Sequence, residues 1–208
     1  MDDRLRILLD QLDGIWNMLE ARLTGRRMVD GDYEGEPGHL ETTLTDDEYF
    51  WEPAPDCWSL RRRDDARSPN PRGMGEWLLD GGHPLSSPPP FTTIAWRMCH
   101  IRMSPLTRYD YTFGTHSLKL EDLVWPSTTR DAFTVLTETH LRWRRALDGV
   151  SSAELDQVGR SRNPYGSDPE ERFVGVIAWT NTEFTHHAAE IACLRDLYHW
   201  THRVGRDR

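Results

Sequence analysis

Leu5-Arg6-Ile7-Leu8-Leu9-Asp10-Gln11-Leu12-Asp13-Gly14-Ile15-Trp16-Asn17-Met18-Leu19-Glu20-Ala21-Arg22-Leu23 decides the fold class. Leu5, Leu8, Leu9, Leu12, Ile15, Trp16, Leu19 and Leu23 recur at spacings of three and four, one apolar stripe over about five helical turns. Asp2 and Asp3 precede it, where negative charge suits the helix dipole, and Gly25 marks a stop.

Three further segments repeat the pattern. The second predicted helix follows Pro88-Pro89-Pro90, with Thr92 or Thr93 in its first turn and Ile94, Trp96, Met98, Ile101 and Met103 as its apolar content; Pro105 is expected to end or kink it. The third runs from about Thr128 to Leu147, with Phe133, Leu136, His140, Trp143 and Leu147 on one stripe. The fourth and longest spans about Pro169 to Trp200. Four amphipathic helices without convincing alternating strands predict an all-α four-helix bundle with long inter-helix loops, filling one domain over 1–208. Residues 26–44 read as loop. Thr45-Asp46-Asp47-Glu48 has capping-box spacing for a short helical turn, and Cys57-Trp58-Ser59-Leu60 reads as extended. The stretch at about 61–90 is rich in Pro, Gly, Ser and Asp, and a loop of that length suggests a lid or a partner-docking segment.

Composition narrows the partners. A net charge of −9, from 34 acidic and 25 basic side chains, argues against nucleic acid, whose affinity comes from Lys and Arg on phosphates. Arg61-Arg62-Arg63 is a local exception that Asp64-Asp65 largely cancels. Lys119 is the only lysine, a bias of the kind that GC-rich bacterial genomes impose. No run approaches the roughly 18 apolar residues of a membrane span. Met1-Asp2-Asp3-Arg4 lacks signal-peptide architecture, and three scattered cysteines make no disulfide framework, so the expected setting is cytoplasmic and reduced.

Chemistry concentrates on the fourth helix. Glu183 and His187, four apart, share a face with Val176, Thr180, Ile191, Leu194 and Tyr198, a stripe polar in its middle and apolar at both ends. A carboxylate and an imidazole buried there must be paired, hydrogen-bonded or metal-bound. His100, on the Trp96–Met103 stripe of the second helix, is the best third ligand. Two nitrogens and a carboxylate oxygen suit Zn²⁺, Ni²⁺, Fe²⁺ or Mn²⁺ and leave open positions for water or a small-molecule substrate. Glu183 has a structural alternative, a salt bridge to an arginine of a neighbouring helix. His186 and Glu190 form a competing pair at the same spacing. Glu183-x-x-His186 has di-iron spacing, but none of the four predicted helices carries a second such motif. His140 reads as a core histidine, His199 and His202 as surface residues, Cys99 and Cys193 as core thiols, and Cys57 as a loop thiol. The Gly-rich nucleotide loops, GxSxG and HExxH are absent.

Trp96-Arg97-Met98-Cys99-His100-Ile101 resembles the second-helix motif of the DinB-like superfamily of metal-dependent bundle proteins, and Glu183-Phe184-Thr185-His186-His187-Ala188-Ala189-Glu190-Ile191 resembles its fourth-helix motif. Leu194-Arg195-Asp196-Leu197-Tyr198 resembles the ending of an actinobacterial branch, and Trp51-Glu52-Pro53-Ala54-Pro55 with Trp58-Ser59-Leu60 an inter-helix segment; the 61–90 loop lies outside the likeness. The family pattern has three histidines, and Glu183 stands where the first fourth-helix histidine would be. The resemblance implies a divalent metal ion at His100, Glu183 and His187. It also implies either a transferase or isomerase that activates a low-molecular-weight thiol such as mycothiol, with metal-assisted hydrolysis as the close variant, or a non-catalytic binding or stress-response bundle. A homodimer is compatible with it. No general base is evident.

Overall fold

The structure is a computed structural model that describes residues 1–25, 42–82 and 87–204, with side chains given through residue 202. Most of the loop expected at 26–44 therefore lies outside the described residues, as do residues 83–86 of the 61–90 stretch. Four long helices carry the fold: α1 (Asp3–Thr24), α3 (Ile94–Phe113), α4 (Thr129–Leu147) and α6 (Phe173–Val204). Between them lie the short helices α2 (Asp46–Phe50) and α5 (Ser152–Leu155) and the strands β1 (Leu60–Arg62) and β2 (Trp77–Leu79). The all-α bundle stands as expected. No helix among the described residues is long and apolar enough to cross a membrane.

Three of the four long helices, α1, α3 and α4, begin where a polar side chain satisfies a free backbone donor. The Asp2 carboxylate accepts from the Arg4 N–H (2.8 Å), Thr93 Oγ1 from Trp96 (3.2 Å) and Thr128 Oγ1 from Asp131 (3.2 Å). The expected capping box of Thr45 and Glu48 opens α2. Gly25 closes α1 with φ 70°, where a side chain would be strained. Two expectations are corrected. Pro105 does not end α3, which continues to Phe113; the helix packs on both α4 and α6, and tertiary burial carries it across the missing N–H. The 61–90 stretch is not only loop: β1 and β2 pair antiparallel, with Leu60 opposite Leu79 and Arg62 opposite Trp77.

That hairpin was hidden by its charges. Arg61 is buried; its guanidinium donates to Asp80 (2.9 Å), Glu52 (2.8 Å) and the Cys57 carbonyl (2.7 Å), so it is an internal strut and not a basic patch. Leu60, Leu78 and Leu79 are buried beside it.

The core has two parts. Trp16, Leu19, Tyr49, Met98, Leu136, Phe184 and Ile191 belong to the larger, which surrounds the site end of the bundle. Leu5, Leu9, Leu12, Trp143, Phe173 and Ile177 belong to the other. His140 is the expected core histidine: it is buried, stacks on Trp16 at 4.2 Å, and burial pushes its pKa down to about 4. Cys99 is buried, its thiol pushed up to about 12 by burial. Cys193, expected in the core, is exposed, whereas Cys57 is buried and donates to the Ala54 carbonyl (2.9 Å). His199 is not a free surface residue. Its Nε2 lies 2.8 Å from the buried Glu48 carboxylate, which also takes the fully buried Arg195 guanidinium at 3.0 Å. His202 is exposed and stacks on Tyr198.

Candidate metal centre

α3 and α6 pack side by side, and the facing turns bring together the three residues singled out from sequence. One donor atom each from His100, Glu183 and His187 lies within 4.8 Å of the others. Glu183 Oε2 is 3.3 Å from His187 Nε2 and 3.8 Å from His100 Nε2, and the two imidazoles meet edge to face at 4.6 Å. His187 is buried, while His100 and Glu183 are half-buried and open toward solvent.

The hydrogen bonds assign the His187 tautomer. Glu190 Oε2 is 2.6 Å from His187 Nδ1 and 2.9 Å from Arg97 Nη1, and the two nitrogens are 3.0 Å apart. A carboxylate only accepts, so both nitrogens donate to that oxygen and Nδ1 carries the proton. Burial pushes the His187 pKa below its ordinary value, with His100 and Arg97 adding to the fall against the pull of Glu190, so the ring is neutral at pH 7. Nε2 is then an acceptor facing a second acceptor, Glu183 Oε2. The Glu183 carboxyl is itself held below its ordinary range, by His100 first, against the cost of burial; the smaller pull of His187 belongs to acid pH, where that ring is protonated.

Two acceptors at 3.3 Å repel unless a cation lies between them. Four-coordinate Zn²⁺, with bonds near 2.0–2.1 Å, sets its ligand atoms about 3.4 Å apart. The 3.3 Å separation of Glu183 and His187 fits that spacing, the 3.8 Å separation from His100 is somewhat longer, and the donor set suits a borderline divalent ion. Glu190 supplies the carboxylate–histidine support that metal-bound imidazoles have. His100 is held differently: its ring stacks on Trp96 at 4.5 Å, and its buried Nδ1 has no hydrogen-bond partner among the described residues. Trp96 is in turn fixed by its Nε1–H donating to the Asp80 carbonyl (2.8 Å), which ties the β1–β2 segment to the site.

Arg97 had no place in the sequence reading of the site, and Glu190 was paired there with His186 alone. His186 does approach Glu190 Oε1 (3.4 Å), but on the outer face, with most of its side chain in solvent. The spacing carried a signal. Arg97 stands three residues before His100 and Glu190 three after His187, one helical turn from each candidate ligand.

A cleft of about 610 Å³ opens off His100 and Glu183, between α3, the N-terminal half of α6 and the loop that carries Asn163 and Tyr165. His100, Ser104 and Arg108 lie along one side, and Val176, Trp179 and Glu183 along the other. Its volume is that of a small-molecule site.

A family model described as the DinB superfamily matches residues 38–191, well over half of the chain. The matched span contains all three candidate ligands together with Arg97 and Glu190. No curated protein and no solved structure matches the chain.

Proposed function

The chain belongs to the DinB superfamily, and from that premise we propose that it binds a divalent metal ion through His100, Glu183 and His187 and activates a low-molecular-weight thiol, such as mycothiol, for transfer or isomerisation. The observation that carries this reading is the 3.3 Å approach of a neutral imidazole nitrogen to a carboxylate oxygen, with a second histidine completing the set. Bound there, a divalent ion would lower the pKa of a thiol and hold the thiolate for attack on an electrophile.

The chain's own residues divide the remaining work. Glu190 keeps the His187 proton on Nδ1 and its Nε2 free. Arg97 joins Glu190 from the opposite helix and holds α3 against α6 beside the site. Trp96 covers one face of His100 and limits its rotation. The cleft admits a small molecule from the side of His100 and Glu183 that faces away from the core. We place the reaction in the cytoplasm, a setting supported by the free Cys57, Cys99 and Cys193.

The test has two stages. Protein purified without a histidine tag is analysed for metals by mass spectrometry, then titrated with Zn²⁺ and Co²⁺ after chelation. About one equivalent per chain is expected, and absence of both native metal and uptake would sink the proposal. Thiol consumption is then measured with a panel of electrophiles. Turnover that disappears in a folded His187→Ala protein supports the transferase; metal binding without turnover leaves a non-catalytic binding protein, the alternative that Glu183 at a histidine position suggests.

A further inference from the structure

Arg72 lines the same cleft as His100 and Glu183. Its backbone is fixed on three sides. The N–H donates to the Leu79 carbonyl (2.9 Å), and its carbonyl accepts from Leu79 N–H (2.9 Å) and from Trp125 Nε1–H (2.7 Å). The neighbouring Gly73, at φ 114°, lets the Trp125 ring lie against the chain where any Cβ would be 2.2 Å from Nε1. The guanidinium, by contrast, has no ion-pair or hydrogen-bond partner among the described residues, although Arg72 is half-buried.

The other charges of the cleft are accounted for. Arg108 donates to Asp168 (2.9 Å), whose second oxygen takes the Ser161 hydroxyl (2.7 Å), so that pair is internally neutral. Glu183 faces the two imidazoles. Glu171 stands at the exposed rim, where solvent screens it. A guanidinium without a counter-ion among the described residues, carried on an anchored backbone at the cleft wall, offers paired N–H donors to a carboxylate or phosphate. Trp179, exposed beside the cleft on α6, offers an apolar face for the body of a ligand.

We infer that this cleft takes a small ligand with an anionic group, a carboxylate, phosphate or sulfonate, bound by Arg72 while the rest of the molecule extends toward His100 and Glu183. The inference deepens the proposed function and rests on it for the reacting end of the ligand; the anion site itself needs no metal.

The experiment titrates metal-free, full-length protein with two fluorescent probes of the same shape, anionic 8-anilinonaphthalene-1-sulfonate and neutral N-phenyl-1-naphthylamine. The anionic probe binds more tightly and is displaced by inorganic phosphate. In Arg72→Gln the preference falls about tenfold, the scale of one lost charge-assisted hydrogen bond, and phosphate no longer competes. Arg62→Gln, at an exposed position paired with Glu76, behaves as the parent does. Arg72→Met serves as a second variant, because the anchoring bonds belong to the backbone, and circular dichroism checks its fold. Equal affinity for the two probes in the parent, or an unchanged preference in both Arg72 variants, overturns the inference. Because no metal is present, failure here is separate from failure of the metal reading, which metal uptake alone decides.

Discussion

His187 Nδ1 and Glu190 Oε2 lie 2.6 Å apart, one helical turn from each other on α6, and Arg97 reaches the same oxygen from α3. One carboxylate oxygen thus sets the tautomer of a candidate ligand and ties together the two helices that carry the site. Outer-shell partners of this kind are worth about 10–100-fold in metal affinity. Glu190→Gln is expected to weaken Zn²⁺ binding by about that factor, because an amide can leave His187 free to take the other tautomer. Competition against a chromophoric chelator measures it. Unchanged affinity would show that His187 needs no support.

Glu183 faces both imidazoles, so its replacement tests the donor set directly. Glu183→Ala is expected to weaken metal binding more than Glu190→Gln does, since it removes a donor and leaves its support intact. Glu183→His should retain binding with an all-nitrogen set, and the Co²⁺ d–d spectrum should shift between the two proteins. Identical spectra would mean that residue 183 is not a ligand.

Much of the fold could be read from periodicity, and the limits of that reading are physical. The α1 stripe, the capping box at Thr45 and the start of α4 near Thr128 depend on neighbours in sequence, so they were legible. The continuation of α3 past Pro105 depends on α4 and α6 packed against it, and no local signal reports that. The β1–β2 hairpin was obscured because Arg61 and Asp80 neutralise each other only once folded, 19 positions apart. The three candidate ligands were legible because two sit four apart and the third, His100, lies on the Trp96–Met103 stripe of another helix, with the family likeness agreeing. Arg72 lies within the stretch set aside as loop, and its exposure to the cleft follows from tertiary structure alone.

Two glycines make opposite predictions. Gly73 holds φ 114° with Trp125 against it, so Gly73→Ala should destabilise the protein by more than about 1 kcal/mol. Gly14 lies inside α1 with no atom within 4 Å of an added Cβ, so Gly14→Ala should stabilise it by about 0.5–1 kcal/mol. Urea unfolding of the two variants measures both. A neutral Gly73→Ala would mean that Trp125 can move aside at no cost.

Glu48 and Arg195 form a nearly solvent-free ion pair that joins α2 to α6, with His199 on the same carboxylate. Removing one partner of a buried pair typically costs about 3–5 kcal/mol, because the other charge is left uncompensated. Glu48→Ala should reach that range, since it also removes half of the Thr45 capping box. Calorimetric or urea unfolding against the parent gives the figure; a loss below about 1 kcal/mol would mean that water reaches Arg195.

His140 gives the stability curve its expected slope in mild acid. Its pKa falls from 6.5 to about 4 on folding, because burial against Trp16 disfavours the imidazolium. Below 6.5 the unfolded chain takes up a proton that the folded protein refuses, so stability falls as pH drops toward 4 and the loss is complete below it. This contribution is fully present above pH 6.5. His140→Phe keeps an aromatic ring against Trp16 and removes the titration, so the difference in unfolding free energy between parent and variant should change across that window and be flat on either side. Urea titrations between pH 3.5 and about 8 measure the difference. A difference independent of pH would mean that His140 is protonated equally in both states, and that the ring is better solvated than its burial implies.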